Sequence, residues 1–399
     1  METVTKKTPL VLVTGVGAAV RAAELAAPGT VVLHHDLTGV AEGLVVRTET
    51  TWLGDRPDQR ISVVALAHGC VSCTLREDLL PLLRTMHRRS GVTRIVLALD
   101  PVLEAESVCD AIDHVAVDMV GEVCGPAGRD VEVVAVIGII DAATWLDDAL
   151  GEEEVGERYP TSSDDDRTLA QLALAQVAYA DAVVVAGDAP DPARLRAVVR
   201  RLAPGVPICR SGVPLPRVLG RVVGPARIGE RGPLAPLLAG HPPLEPDGDV
   251  RLLDVAARRP FHPGRLHEAV DVLLDGVVTA RGRLWLATRP DAMLWLESAG
   301  AGLRVGLAGP WDACTDPLLW DETHGPRHSS LVVLVAGADP EAVIRALEWA
   351  LVTDAEFAAG PRVWAGWDDP FGNFHVDPCE TEVLAESTRE TTKREGAGE

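Results

Sequence analysis

Lysine is almost missing from this chain: in 399 residues it occurs only as Lys6, Lys7 and Lys393. No lysine therefore stands between residues 8 and 392 to reach a phosphate. The single asparagine is Asn373, so a guanine-reading element of the type Asn-Lys-x-Asp, which needs both residues together, cannot be built. Arginine supplies nearly all the positive charge, and its wide planar fork does not fit where a slim ammonium reaches between phosphates. Positive charge is itself short, with 37 Lys plus Arg against 59 Asp plus Glu and a formal net charge of -22. That balance excludes a nucleic-acid grip spread over the surface, because phosphate binding depends on positive charge. The arginine cluster at 87–94, "HRRSGVTR", reads as a solvated helix end, and no direct DNA binding is expected.

Long apolar runs are also absent. No stretch approaches the roughly 20 residues that span a bilayer, so no membrane association is expected. Lys6 and Lys7 ahead of "PLVLVTGVGAAV" have the outline of a secretory signal, but Thr14, Arg21 and Glu24 break it, and a first core strand is the expected reading. Seven cysteines at irregular spacing suit reduced thiols and a cytoplasmic protein.

What is present is an alternating pattern up to about residue 210. Strands are expected at 9–14, 30–35, 61–67, 94–99, 131–140 and 182–186, with helices at 75–89, 102–116, 168–180 and 192–203. Continuous apolar strands separated by amphipathic helices imply an α/β parallel sheet with helices on both faces. Its ligand crevice would lie at the C-terminal ends of the strands. The acidic segment 151–167 is expected to be a mobile loop. Proline and glycine crowd 211–249, the expected linker. From 250 to 379 strands gather around only two helices, at 263–275 and 339–352, which suggests a smaller α+β domain with its helices on one face. Residues 380–399 are charged and threonine-rich and are expected to be a disordered tail.

Two short segments carry the chemistry. The first, "LVLVTGVGAAVRAAEL" at 10–25, has the strand, glycine turn and helix of a phosphate-binding loop. Thr14, Gly15 and Gly17 are its turn residues and Arg21 its nearest positive charge, while the strict pattern's second Gly, Lys and Ser/Thr are replaced by Val20, Arg21 and Ala22. It reads as a vestigial phosphate loop. The second, "AHGCVSCTLREDLL" at 67–80, places Cys70 and Cys73 on a turn that opens a helix. A helix N-terminus lowers thiol pKa and favours the thiolate that binds a soft cation. Two thiolates do not close a zinc site; His68 can supply a third donor. The competing reading is that both cysteines are small packing residues at a strand-to-helix junction.

With these residues in view, the chain resembles the CobW-like family of P-loop GTPases and metallochaperones. "GCVSCTLREDL" matches that family's cysteine motif except for Ser72 at the middle cysteine, and "ARRPFHPGRLHEAV" and "GRLWLATRP" resemble the opening of its C-terminal domain. The resemblance implies a P-loop GTPase-like domain over 1–210 and a CobW C-terminal-like domain over 250–379. It also implies GTPase activity, yet all three nucleotide elements depart from the family pattern: "GVGAAVRA", "ALDPVLE" and "AGDAPD" stand in their places. Without the lysine and the Mg-binding hydroxyl, weak or no hydrolysis is expected. No catalytic residue is assigned, zinc is the expected cofactor, and little or no GTP and Mg binding is expected. An actinobacterial subgroup shares the degenerate loop and a C-terminal "DPFG", here Asp369 to Gly372. It resembles a recruitment factor for the ribosome hibernation factor called protein Y. That likeness implies a zinc-responsive adaptor whose partners are the hibernation factor and the ribosome. The alternative is a zinc metallochaperone with unconventional GTP binding or hydrolysis, in which Arg21 lies near the phosphates.

Overall fold

The computed structural model describes residues 6–53, 56–66, 74–119, 121, 123–161, 165–224, 237–238, 241–311 and 325–371. His68, Cys70 and Cys73 lie outside them, as do His324, His375, Cys379 and the tail at 380–399.

The first domain runs β1 (Thr8–Gly15), α1 (Ala18–Ala22), β2 (Thr30–Asp36), β3 (Leu44–Leu53), β4 (Arg56–Ala65), α2 (Leu80–Arg88), β5 (Arg94–Ala98) and α3 (Ala105–His114). A short ladder of β6 (Ala116–Val117) and β7 (Gly125–Pro126) follows. Then come β8 (Val131–Asp141), α4 (Trp145–Leu150), α5 (Val155–Arg158), α6 (Leu169–Ala178), β9 (Ala182–Ala186), α7 (Pro192–Leu202), β10 (Ile208–Arg210) and α8 (Leu215–Leu219).

Eight strands form one sheet in the order β10-β9-β8-β1-β5-β2-β3-β4. From β10 to β2 all neighbours are parallel; β3 and β4 add an antiparallel hairpin at the edge. Continuous apolar strands such as Leu10 to Val13, each 0% exposed, are buried on both faces. Leu10, Leu12, Leu33, Ile95 and Leu97 meet α2, α3 and α6 on one side. Val11, Val13, Val32 and Val96 meet α1 and α8 on the other. The expected parallel α/β sheet is therefore present. The hairpin was not legible beyond 61–65, because the start of β3 to β4 is rich in Thr, Glu, Arg, Asp and Gln and is held by main-chain pairing at an exposed edge.

Two segments depart from expectation. Within 151–167 the described residues pack: Val155 of α5 is 0% exposed, Arg158 pairs with Glu153 and Asp148, and Arg167 bridges Asp165 and Glu104. Two of its acidic residues, Glu153 and Asp165, are paired with these arginines, and a buried valine ties α5 to the core. At the start of the expected linker, Leu215 and Val218 of α8 are buried against the first domain.

The second domain contains β11 (Val250–Ala257), α9 (Pro263–Leu274), β12 (Val277–Trp285), β13 (Ala292–Ala299), β14 (Gly302–Pro310), β15 (Ser329–Ala336), α10 (Pro340–Ala350), α11 (Asp354–Ala359) and α12 (Pro361–Trp364). Its antiparallel sheet has the order β11-β15-β12-β13-β14. Leu266 and Leu273 of α9 and Val343 and Leu347 of α10 cover one face, as expected. His262 caps α9, its Nδ1 accepting the Arg265 N–H at 3.4 Å. The other face meets the first domain: Val250, Val278, Leu334 and Ala336 share a core with Leu174 and Val177 of α6 and Leu195 and Val198 of α7. The Arg194 guanidinium adds a hydrogen bond to the Ala336 carbonyl at 2.7 Å and an ion pair with Asp249 at 3.1 Å.

Candidate metal centre

β1 delivers Thr14, Gly15 and Gly17 to the C-terminal edge of the sheet. Gly15 has φ +94°, and a Cβ there would lie 2.0 Å from the Ile139 carbonyl oxygen of β8. The same carbonyl accepts the Val16 N–H at 3.1 Å, which removes one donor from any phosphate cradle. Gly17, at φ +70°, begins α1 directly. The turn between strand and helix is thus only Val16 and Gly17, and Val20, at the strict pattern's second glycine, is 77% exposed.

Arg21 does not face this turn. Its guanidinium donates to the carbonyls of Ser211 and Val213, both at 2.8 Å, and pairs with Glu24 at 2.9 Å. Glu24 in turn accepts the Leu215 N–H at 2.8 Å. The arginine expected near the phosphates is a staple between α1 and the segment leading into α8. Thr14 is 1% exposed and its hydroxyl has no partner.

Carboxylates gather at the strand ends instead. Asp36 closes β2, Asp100 follows β5, Asp141 closes β8 and Asp188 follows β9. Asp100 is 9% exposed and accepts the N–H groups of Leu37 at 3.0 Å and Val102 at 3.2 Å. Burial nonetheless pushes its carboxyl above the usual range, with His34 and Asp36 close enough to act through their charge. Asp36 moves the other way, because the Thr38 hydroxyl and N–H both donate to it.

His34 stands two residues before Asp36 on β2, opposite Ala98 of β5. Its Nδ1 donates to the Ala98 carbonyl at 3.1 Å, which orients the ring and leaves Nε2 without a partner among the described residues. A ring nitrogen anchored on a carbonyl with the other one open is the usual state of a metal-binding histidine. On the opposite face, His35 hydrogen-bonds Asp78 at 2.7 Å and Arg47 reaches the same carboxylate at 2.6 Å. Asp78, from the "REDL" run, sits in a π-helical turn at Leu75–Leu79, so the segment after Cys73 is fastened to β2 and β3. Among the described residues no three His, Cys, Asp or Glu side chains converge as a preformed metal site.

Comparison with known proteins places this architecture. Residues 38–208 match the CobW/HypB/UreG nucleotide-binding domain, and residues 250–351 match the cobalamin synthesis protein CobW C-terminal domain. A Mycobacterium tuberculosis protein named as a zinc chaperone is 45% identical over 394 residues, covering 94% of this chain and 95% of that one. The chain belongs to the CobW family. A Dictyostelium discoideum relative, named zinc-regulated GTPase metalloprotein activator 1, is 24% identical over 336 residues, 77% of this chain and 70% of its own. Among solved structures, the zinc-bound YjiA GTPase from E. coli matches at 14% identity and a TM-score of 0.38, over 87% of this chain and 100% of that one.

Of the residues singled out in the sequence, the CobW-type sheet brings Thr14, Gly15 and Gly17 into one turn and sends Arg21 elsewhere. His34, Asp36 and Asp100 were missed. The signal was the pair of histidines and the aspartate ending "TVVLHHD", where an apolar strand turns abruptly to metal-donor residue types. Trp285 and Trp311 are core residues, each 3% exposed.

Proposed function

We propose that this CobW-family chain is a zinc metallochaperone whose crevice handles the cation rather than a nucleoside triphosphate. The observation that carries the reading is the fate of Arg21, which is committed to the Ser211 and Val213 carbonyls and not to the glycine turn, while the strand ends carry His34, anchored on the Ala98 carbonyl, and the carboxylates Asp36 and Asp100. Imidazole nitrogen and carboxylate oxygen are donor types that suit a divalent ion, and a carboxylate-lined crevice opposes a triphosphate. Zinc here is cargo. The sequence adds Cys70, Cys73 and His68 as soft donors for it, and relatives named for zinc support the choice of metal. The test is zinc competition against a chromogenic chelator with the full chain. Wild type should retain stoichiometric zinc; Cys70→Ser with Cys73→Ser should lose it, and His34→Ala should weaken it by at least about 10-fold, the lower end of the loss seen when even an outer-shell partner is removed. Unchanged retention in all variants overturns the reading. Calorimetry with GTP and Mg²⁺ at high micromolar nucleotide should show no binding.

A second reading rests on the net charge of -22, which suits steering toward a basic, ribosome-associated partner such as a hibernation factor. It calls for co-purification of that factor or of ribosomal proteins from zinc-starved cells, and their absence would remove it. The names of the relatives favour the metallochaperone.

A further inference from the structure

The eight-stranded sheet ends on β4, whose outer edge pairs with no strand among the described residues. Natural edges are blunted by charge, proline or a covering element. β4 is blunted over only half its length. Arg56, Pro57, Asp58 and Arg60 take four of the first five positions, whereas Ile61 to Ala65 carry no charge and no proline. Ile61 is 64% and Val63 66% exposed. Across the β3 register, Val63 lies opposite Val46 and Ala65 opposite Leu44, themselves 37% and 45% exposed. Side chains directly opposite one another share a face, so an apolar stripe two strands wide follows an open edge.

We infer that this edge pairs with the same edge of a second copy of the chain, antiparallel about a two-fold axis through Ser62. In that register Ile61 faces Val63 of the second copy, and the symmetry repeats the contact. Gln59 then faces Ala65 on the same side, and Arg60 faces Val64 on the other. Moving the axis to Arg60 would set the two arginines directly opposite each other, which is destabilising; the axis at Ser62 avoids this and joins Ile61 and Val63, the two exposed large aliphatic side chains of the strand. The edge is also outside the chain's acidic excess, since Arg56 and Arg60 outweigh Asp58 on it. Two copies with a net charge of -22 therefore meet where like charge is not concentrated. The two sheets become one continuous sheet, and the row through His34, Thr48 and Ile61 runs on into Val63, Val46 and Asp36 of the second copy. The inference is independent of the zinc reading.

Sedimentation velocity of the full chain at high micromolar concentration and physiological salt tests it. Wild type should sediment as a dimer and Val63→Lys as a monomer with an unchanged far-UV spectrum and melting temperature. Residues opposite in an antiparallel pair lie about 4.5–5.5 Å apart at Cα, within disulfide reach. Ser62→Cys should therefore give a cross-linked dimer on mild oxidation beyond any formed by wild type, and Gln59→Cys should not. A monomeric wild type, a dimer that survives Val63→Lys, or cross-linking through Gln59→Cys in place of Ser62→Cys overturns the proposal.

Discussion

Arg21 shows how a residue can keep a motif's position and leave its chemistry. It follows the glycine turn where the pattern asks for lysine, yet all its described contacts hold the first domain together. Arg21→Ala should cost about 1–3 kcal/mol in urea unfolding, the range for hydrogen bonds from a charged donor, and leave nucleotide affinity unchanged. Asp100 gives a pH test. Its folded carboxyl is raised by burial, so between the ordinary carboxylate value and the raised one the native state holds a proton that the unfolded chain has lost. Stability contributed by that proton is present at lower pH and disappears as pH rises through the raised value. Asp100→Asn should remove this fall from melting curves taken across the acidic range. A wild-type curve that rises over that window, with the variant following it, would contradict the assignment.

The elements are held by contacts that composition does not display. β8 can pass beneath α6 only because position 138 is glycine: a Cβ there would lie 2.1 Å from the Gln176 carbonyl oxygen and 3.3 Å from the Ala180 methyl. Gly138→Ala should destabilise by about 1–3 kcal/mol, as overpacking does, read by denaturant midpoint. The strongly periodic elements were legible, among them β1, β5, β9, α6 and α7 and the whole second domain apart from its last two helices. β3 and the first half of β4 were not, because an edge hairpin needs no apolar alternation on the side that faces water. The same exposure makes that hairpin the candidate self-pairing surface.

The two domains share one core rather than a tether. Leu334 of β15 is 1% exposed and packs in the cluster that contains α6 and α7, so Leu334→Ala should cost about 2–5 kcal/mol and should lower one calorimetric transition, not split it. Two separated transitions in wild type would show that the shared core does not couple the domains. The charge of -22 acts over the same assembly. It is relieved locally by pairs such as Arg158 with Glu153 and Arg167 with Asp165.

From residue types and spacing alone came the parallel sheet, the second α+β domain, the absent lysine and the cysteine pair, because periodicity and composition are local properties that survive without coordinates. Tertiary structure alone decided that Arg21 points away from the turn, that His34 is tied to the Ala98 carbonyl, and that Asp100 accepts the Leu37 N–H beyond the end of β2. These depend on strands β2 and β5 lying side by side although 57 residues separate the end of one from the start of the other. A hydrogen bond across that distance in sequence is set by which face and which register the sheet adopts, and no local pattern encodes either.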